Sequence, residues 1–200
     1  MHGDTGAETD GRAAPPGGPE DHLDYLDYLD VYLIRHAVAH KRDPGLWPDD
    51  RLRPLTPGGE EDFRRAARAL GEAEPGLQAL FSSLLTRAWQ TAGILETENH
   101  WPAPEKLPEL APESPAGQIL SALAGRWDPP AAGAIAIVGH RPSLHELASY
   151  MVCGDPRGME VKIKKGGVAV VRFTGSGKIL RPGAGTLREP WKPRLPYPGD

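Results

Sequence analysis

Cysteine is almost absent from this chain of 200 residues, since Cys153 is the only one. A single thiol cannot close a disulfide within the chain, and it cannot build a zinc site from cysteines. Long apolar runs are lacking as well, and no stretch approaches the ~20 residues that a membrane-spanning helix needs. The N-terminus has no basic region followed by an apolar one, so we expect no secretory signal. These absences predict a cytoplasmic protein with no membrane partner.

Basic residues are scarce in the first 30 residues, which hold eight acids and one arginine for a net charge of −7. The whole chain carries −4, so the remainder is mildly basic at +3. This balance suits an anionic substrate but is too weak to indicate nucleic-acid binding. Residues 1–22 have too little apolar content to fold and are predicted to be a disordered acidic leader. We expect a folded domain over residues 23–175 and a Pro/Gly-rich tail over residues 176–200.

Apolar runs and helical spacings alternate along the middle of the chain. Strands are predicted at residues 31–35, 77–83, 134–140 and 168–173, and helices from Thr56, Thr86, Ser114 and Pro142. The continuous apolar run at 134–140 is typical of a strand buried on both faces. The alternation predicts a three-layer α/β/α fold with a central, mostly parallel sheet.

A hairpin signal follows the fourth predicted helix. Gly166 and Gly167 separate the alternating residues 161–164 from the apolar residues 168–173, which predicts a β-hairpin. In that arrangement Lys162, Lys164 and Lys165 would lie on the solvated face of an edge strand.

Histidine follows two of the predicted strands, as His36 after residues 31–35 and as His140 after the run at 134–139. Ligands of open α/β sheets bind beyond the carboxyl ends of the strands. Arg35 precedes His36, and Arg87 lies in the first turn of the helix after the second strand. Two guanidiniums and two imidazoles at one edge suit a phosphate, because arginine binds phosphate oxygens bidentately and stays charged. One imidazole could then attack phosphorus, and the other could stabilise the transition state.

Each of these residues also has a purely structural interpretation. Arg35 and His36 could cap a strand, Arg87 could be a solvated helix residue, and His140 could be held by a helix N-terminus. His40 and His145 are more often ordinary polar residues. A metal site from His36 with His40, or His140 with His145, is disfavoured, because His36 and His40 straddle a strand end and share no helical face. We therefore expect no metal and no cofactor.

Five motifs occur in a fixed order along residues 31–173: "LIRHA", "RPLTPGG", "SSLLTRAWQTA", "LPEL" and "IVGHRPSLHEL". Together they resemble the histidine phosphatase superfamily, and "RPLTPGG" with "LPEL" is most similar to its SixA-type phosphohistidine phosphatases. The resemblance implies a phosphoglycerate mutase-like fold. It also implies that His36 is the nucleophile, that Arg35 and Arg87 bind phosphate, and that His140 is the second histidine of the pocket. Glu109 stands in "LPEL", where larger relatives place a proton-donating acid.

The substrate is expected to be a phosphohistidine on a signalling or phosphotransfer protein. Only about 38 residues separate Leu95 from Ala134, too few for a large capping subdomain, so the pocket should be open to a protein side chain. A small phosphoester or nucleotide is the alternative substrate, a mutase is a third possibility, and a phosphate-binding regulatory module without turnover is the alternative of another class.

Overall fold

In the computed structural model of this chain, the structure describes residues 28–74, 76–127, 132–175 and 179–188. The leader predicted at residues 1–22 lies outside these ranges. The strands are β1 Tyr28–Arg35, β2 Leu77–Ser82, β3 Glu105–Lys106, β4 Ala132–Gly139, β5 Val168–Thr174 and β6 Gly185–Leu187. The α-helices are α1 Pro57–Ala73, α2 Thr86–Asn99, α3 Ala116–Arg126 and α4 Ser143–Cys153, and two 3₁₀ helices cover Asp50–Leu52 and Pro108–Leu110.

The six strands form one sheet in the order β3-β2-β4-β1-β5-β6. The four strands from β3 to β1 are mutually parallel, whereas β5 runs antiparallel to β1 and β6 runs antiparallel to β5. The prediction of a mostly parallel sheet is therefore confirmed. β1 and β4 lie side by side in the middle, so the residues that follow them meet at the centre of the carboxyl edge.

Helices cover both faces of the sheet, as the predicted three-layer architecture requires. On one face α1 and α2 pack against Tyr32 and Ile34 of β1, and on the other α3 and α4 pack against Leu29, Val31 and Leu33. This alternation follows from the two-residue period of a strand. Among the described residues, no helix combines the length and the apolar character needed to cross a membrane.

Local signals account for several helix ends. The Thr56 side chain accepts a hydrogen bond from the Gly59 N–H, and Pro57 occupies the first helical position of α1. Gly154 ends α4 at φ 72°, a left-handed conformation that glycine adopts without steric cost. Gly71, expected to end α1, instead lies inside the helix, which continues to Ala73.

The predicted hairpin at residues 161–173 is wrong. Residues 168–174 form β5, but residues 161–164 belong to no strand, since β5 is already paired with β1 on one side and β6 on the other. Val161 and Ile163 are instead buried in the core, and the Ile163 carbonyl accepts a hydrogen bond from Arg35. Lys162, Lys164 and Lys165 are exposed as expected, although not on a strand.

Part of the predicted C-terminal tail packs on the domain. Ile179 and Leu180 are buried in the core on the α3 and α4 face, and residues 185–187 form the edge strand β6. Burial of a few apolar residues is enough to hold a short strand against the edge of the sheet. The residues after Arg188 lie outside the described ranges.

Candidate active site

Neighbouring strands bring two of the sequence-predicted histidines together. Arg35, the last residue of β1, is in register with Gly139, the last residue of β4. The His36 backbone N–H donates to the Gly139 carbonyl at 3.1 Å, so the ladder extends one residue into the loop. The His36 and His140 rings lie 5.1 Å apart between centroids and are tilted by 52°. The two histidines thus lie together at the carboxyl edge of the sheet, where the parallel strands β1 and β4 both end.

His36 is 7% exposed and has a defined tautomer. Its Nδ1 lies 2.7 Å from the Ala37 carbonyl oxygen, which can only accept, so Nδ1 carries the hydrogen and Nε2 carries the lone pair. Burial lowers the pKa of His36 from 6.5 to about 4; the bond to Ala37 opposes the shift, and the charges of Arg87 and Arg35 add to it. The imidazole is therefore neutral at neutral pH and has an unprotonated nitrogen available as a nucleophile.

His140 is 2% exposed and contacts Ser83, which follows the neighbouring strand β2. Its Nε2 lies 2.9 Å from the hydroxyl oxygen of the buried Ser83, whereas its Nδ1 is buried without a partner. Burial lowers the pKa of His140 to about 2, and His36 and the guanidiniums of Arg87 and Arg35 add to this shift. A Ser83 hydroxyl that donates to Nε2 leaves the hydrogen of the neutral ring on Nδ1, where it can serve a bound anion.

Arg87 is 5% exposed, and its side chain is held by Asp50. Its Nη1 donates to the Asp50 carbonyl at 2.9 Å and lies 3.3 Å from the Asp50 carboxylate. Burial lowers the pKa of Arg87, but a guanidinium stays charged at any working pH. Asp50 itself belongs to the 3₁₀ helix of the long β1–α1 connection, so this connection orients a side chain of α2.

Arg35 is half-buried and is fixed by the segment that precedes β5. Its Nη1 donates to the Ile163 carbonyl at 3.1 Å. Burial and the charge of Arg141 lower its pKa without removing its charge. Arg35, His36, Arg87 and His140 together form the strand-end pocket.

Three buried nitrogens of the strand-end pocket have no hydrogen-bond partner: Nε of Arg35, Nε of Arg87 and Nδ1 of His140. Buried polar atoms are usually satisfied, and each unsatisfied one costs about 1–3 kcal/mol. Three unused donors among two cations and two neutral imidazoles suit a ligand that carries several acceptor oxygens and negative charge. A phosphoryl group has this chemistry.

Glu109 follows β3 and has no hydrogen bond to the strand-end pocket. It belongs to the 3₁₀ helix Pro108–Leu110 and lines a hollow of about 460 Å³ with Gly117, Gln118, Ser121 and Ala122 of α3. One of its carboxylate oxygens, Oε2, is buried without a partner. Glu109 forms no hydrogen bond or ion pair with any of the four pocket residues.

The two other histidines considered for a metal site have separate surroundings. His40 stacks on Trp47 at 5.8 Å between centroids, and His145 contacts the backbone of Ile163 at 3.2 Å. Within the described ranges, no group of three or more His, Cys, Asp or Glu side chains could hold a metal ion.

Comparison with known proteins agrees with this geometry. Residues 31–114, which include His36, Arg87 and Glu109, match the model of the histidine phosphatase superfamily (branch 1). An uncharacterised protein of a Picosynechococcus species is 32% identical over 150 residues, covering 75% of this chain and 88% of that protein.

The chain belongs to the histidine phosphatase superfamily.

Solved structures share the fold of this member of the superfamily. The protein histidine phosphatase SixA complexed with tungstate matches with a TM-score of 0.69 at 23% identity, covering 82% of this chain and 97% of that one. A protein assigned as the phosphohistidine phosphatase SixA of Agrobacterium tumefaciens matches at 0.64 and 20% identity, over 82% and 97% of the two chains. The phosphoglycerate mutase of Plasmodium falciparum matches at 0.54 and 12% identity, over 81% and 89%. The expected phosphoglycerate mutase-like fold is confirmed.

Sequence reasoning missed three residues that support the strand-end pocket. Ser83 contacts His140, Asp50 holds Arg87, and the buried Thr91 joins the His36 loop to α2. Ser83 and Thr91 both lie inside the quoted motif "SSLLTRAWQTA". Ser83 comes one residue after the end of β2, and Thr91 comes one helical turn after Arg87. Asp50 had no such signal, because it comes from an irregular loop whose path depends on tertiary contacts.

Proposed function

We propose that this protein is a phosphatase that works through a phosphohistidine intermediate on His36, and that its substrate is phosphohistidine on a signalling or phosphotransfer protein. The observation that carries the proposal is the set of three unpartnered buried donors beside a neutral histidine. These donors can bind the oxygens of a phosphoryl group while Nε2 of His36 faces phosphorus. The tungstate in the similar SixA structure is a tetrahedral oxyanion of the same kind, which supports this assignment.

The proposed reaction has two in-line displacements at phosphorus. Nε2 of His36 forms a bond to phosphorus as the bond to the leaving group breaks, and the leaving imidazole takes up a proton from water. Water then attacks the phosphoryl group on His36, releases inorganic phosphate and restores the neutral imidazole. Arg35, Arg87 and the Nδ1–H of His140 bind the equatorial oxygens in both steps. Positive charge comes from the two guanidiniums, so the proposed reaction uses no metal ion.

The leaving group favours phosphohistidine as the substrate. An imidazole leaves more readily than an alkoxide and needs less help from a general acid. Glu109, the acid suggested by the family resemblance, lines a hollow beside α3 and forms no hydrogen bond with a pocket residue. A glutamate with no hydrogen bond to the pocket suits an imidazole leaving group, which needs little proton donation, better than an alkoxide. The similar fold of the SixA proteins agrees with this choice.

Transfer of labelled phosphate tests the proposal. The protein is incubated with a ³²P-phosphohistidine protein, quenched in alkali, where phosphohistidine is stable, and analysed for label on His36. We expect transient labelling and release of inorganic phosphate in the presence of EDTA. His36→Ala should abolish both labelling and turnover, whereas His40→Ala, which removes a histidine four residues later, should retain both.

Other outcomes separate the alternatives. Phosphate bound with no turnover of any substrate would indicate a regulatory module. Faster turnover of small phosphoesters than of phosphohistidine would make them the substrate class. Activity that EDTA abolishes and zinc or magnesium restores would overturn the metal-free reaction.

A further inference from the structure

A groove adjoins the strand-end pocket at Arg35. It has a volume of about 600 Å³ and runs between the start of α4 and residues 156–164. Val161 and Ile163 are buried in its floor, and Pro142 and Met159 contribute further apolar surface. The Ile163 carbonyl accepts the hydrogen bond from Arg35, so the groove and the pocket share a structural element.

Positive charge dominates the rim of this groove. Five cationic side chains line it, against two acidic ones. The cations are Arg35, Arg141, Arg157, Lys162 and Lys164, and the acids are Glu146 and Glu160. Glu160 already pairs with Lys162 at 3.0 Å, and both side chains are exposed. The unpaired excess is therefore positive and open to solvent.

A phosphoryl group and its histidine side chain occupy the strand-end pocket and leave this groove unused. A groove with an apolar floor and a cationic rim complements a chain segment that carries apolar side chains and carboxylates. We propose that the groove binds the segment of the substrate protein that flanks its phosphohistidine, and that it selects acidic over basic flanks. This inference rests on the proposed function, since it gives the phosphohistidine protein a second contact beside the reacting group.

Two synthetic peptides test this selection. They share one central phosphohistidine and apolar neighbours, and they differ only in carrying glutamate or lysine at the flanking positions. We expect kcat/KM of the full-length protein to be about fivefold or more higher for the acidic peptide at low ionic strength. This preference should shrink as salt screens the exposed charges.

Charge reversal provides the matched variants. The double variant Arg157→Glu with Lys162→Glu should lose or invert the preference between the peptides, with turnover of free phosphohistidine within about twofold of wild type. Arg181→Glu reverses an exposed cation that does not line the groove and should keep the preference. Equal kcat/KM for both peptides with the wild-type protein would overturn the inference.

A binding measurement separates this inference from the proposed function. Fluorescence polarisation of the unphosphorylated, labelled peptides reports groove binding without turnover. Tighter binding of the acidic peptide that depends on Arg157 and Lys162, with no turnover of the phosphorylated form of either peptide in the kinetic assay, would support the groove and refute the phosphatase.

The chain's own leader is the competing occupant, because residues 1–22 hold five acids and one arginine. A deletion of residues 1–22 that raises kcat/KM for the acidic peptide, while the full chain treats both peptides alike, would assign the groove to the leader and overturn our inference. An unchanged preference after the deletion supports the substrate.

Discussion

Thr91 links the two halves of the strand-end pocket through a single hydroxyl. Its Oγ1 accepts a hydrogen bond from the Ala37 N–H at 3.0 Å and donates to the Arg87 carbonyl at 2.7 Å. Ala37 in turn accepts the bond that sets the tautomer of His36. The hydroxyl thus couples the loop of the nucleophile to the helix that carries a phosphate-binding arginine.

Thr91→Val keeps the shape of this side chain but removes the hydroxyl. The buried Ala37 N–H then loses its partner, at a cost of about 1–3 kcal/mol in the free energy of unfolding. We also expect kcat to fall about tenfold, because the His36 loop and Arg87 are no longer held together. Steady-state kinetics and urea unfolding measure the two effects. Thr91→Ser retains the hydroxyl and should keep kcat within about threefold; an equal loss in both variants would contradict the argument.

Glu109 provides a test of the leaving group. Glu109→Gln keeps the shape of the side chain but cannot donate a carboxylic acid proton. We expect turnover of phosphohistidine to remain within about tenfold of wild type, a change of roughly 1.4 kcal/mol in the barrier. An alkoxide leaving group depends on such a proton, which typically contributes ~10²–10⁴-fold. Large and equal losses on phosphohistidine and phosphoserine substrates would make Glu109 a general acid and favour small phosphoesters.

At the scale of elements, the end of the sheet depends on a short C-terminal strand. β6 pairs with β5, and Ile179 and Leu180 are 5% and 8% exposed in the core beside it. Without them, β5 would become an open edge, and the face that carries α3 and α4 would lose apolar cover.

Truncation after Gly175 should therefore destabilise the protein. Burial of one large aliphatic side chain contributes about 1.5–3 kcal/mol to stability. Because the truncation removes two of them, we expect a loss of about 3–6 kcal/mol in the free energy of unfolding. Truncation after Arg188 keeps Ile179, Leu180 and β6 and serves as the control. Chemical denaturation of both truncated proteins measures the difference, and equal stability would mean that residues 179–188 do not belong to the cooperative fold.

At the scale of the whole molecule, the buried imidazoles couple folding to pH. In an unfolded chain a histidine has a pKa near 6.5. In the folded protein the pKa is about 4 for His36 and about 2 for His140, mainly through burial. Below pH 6.5 the unfolded chain therefore binds protons that the folded protein does not. Stability is fully present above pH 6.5 and is lost as the pH falls towards 4.

Urea unfolding at two pH values should reveal this coupling. Between pH 7.5 and pH 5, each of the two histidines should lower the free energy of unfolding by on the order of 2 kcal/mol. His36→Gln removes one titrating group and should lose about half of the dependence on pH that the pair produces. Equal stability at both pH values in the wild-type protein would show that the imidazoles protonate alike in the folded and unfolded states.

Several features follow from the sequence alone because they depend on local or periodic patterns. The buried strands at β1, β2 and β4, the N-cap Thr56 and the terminating Gly154 are recognisable from neighbouring residues. The convergence of His36 with His140 also follows, because parallel strands end at the same edge of a sheet.

Only the tertiary structure decided which partners these residues have. The "VKIK" segment carries a strand pattern, yet β1 and β6 occupy both edges of β5, so residues 161–164 turn inward and their Ile163 carbonyl holds Arg35. Asp50 reaches Arg87 across 37 positions, and Ser83 reaches His140 across 57. Glu109 follows a strand end but lines a hollow beside α3. Local pattern specifies an element and the edge at which it ends, whereas long-range competition for strand edges and hydrogen-bond partners determines where each side chain lies.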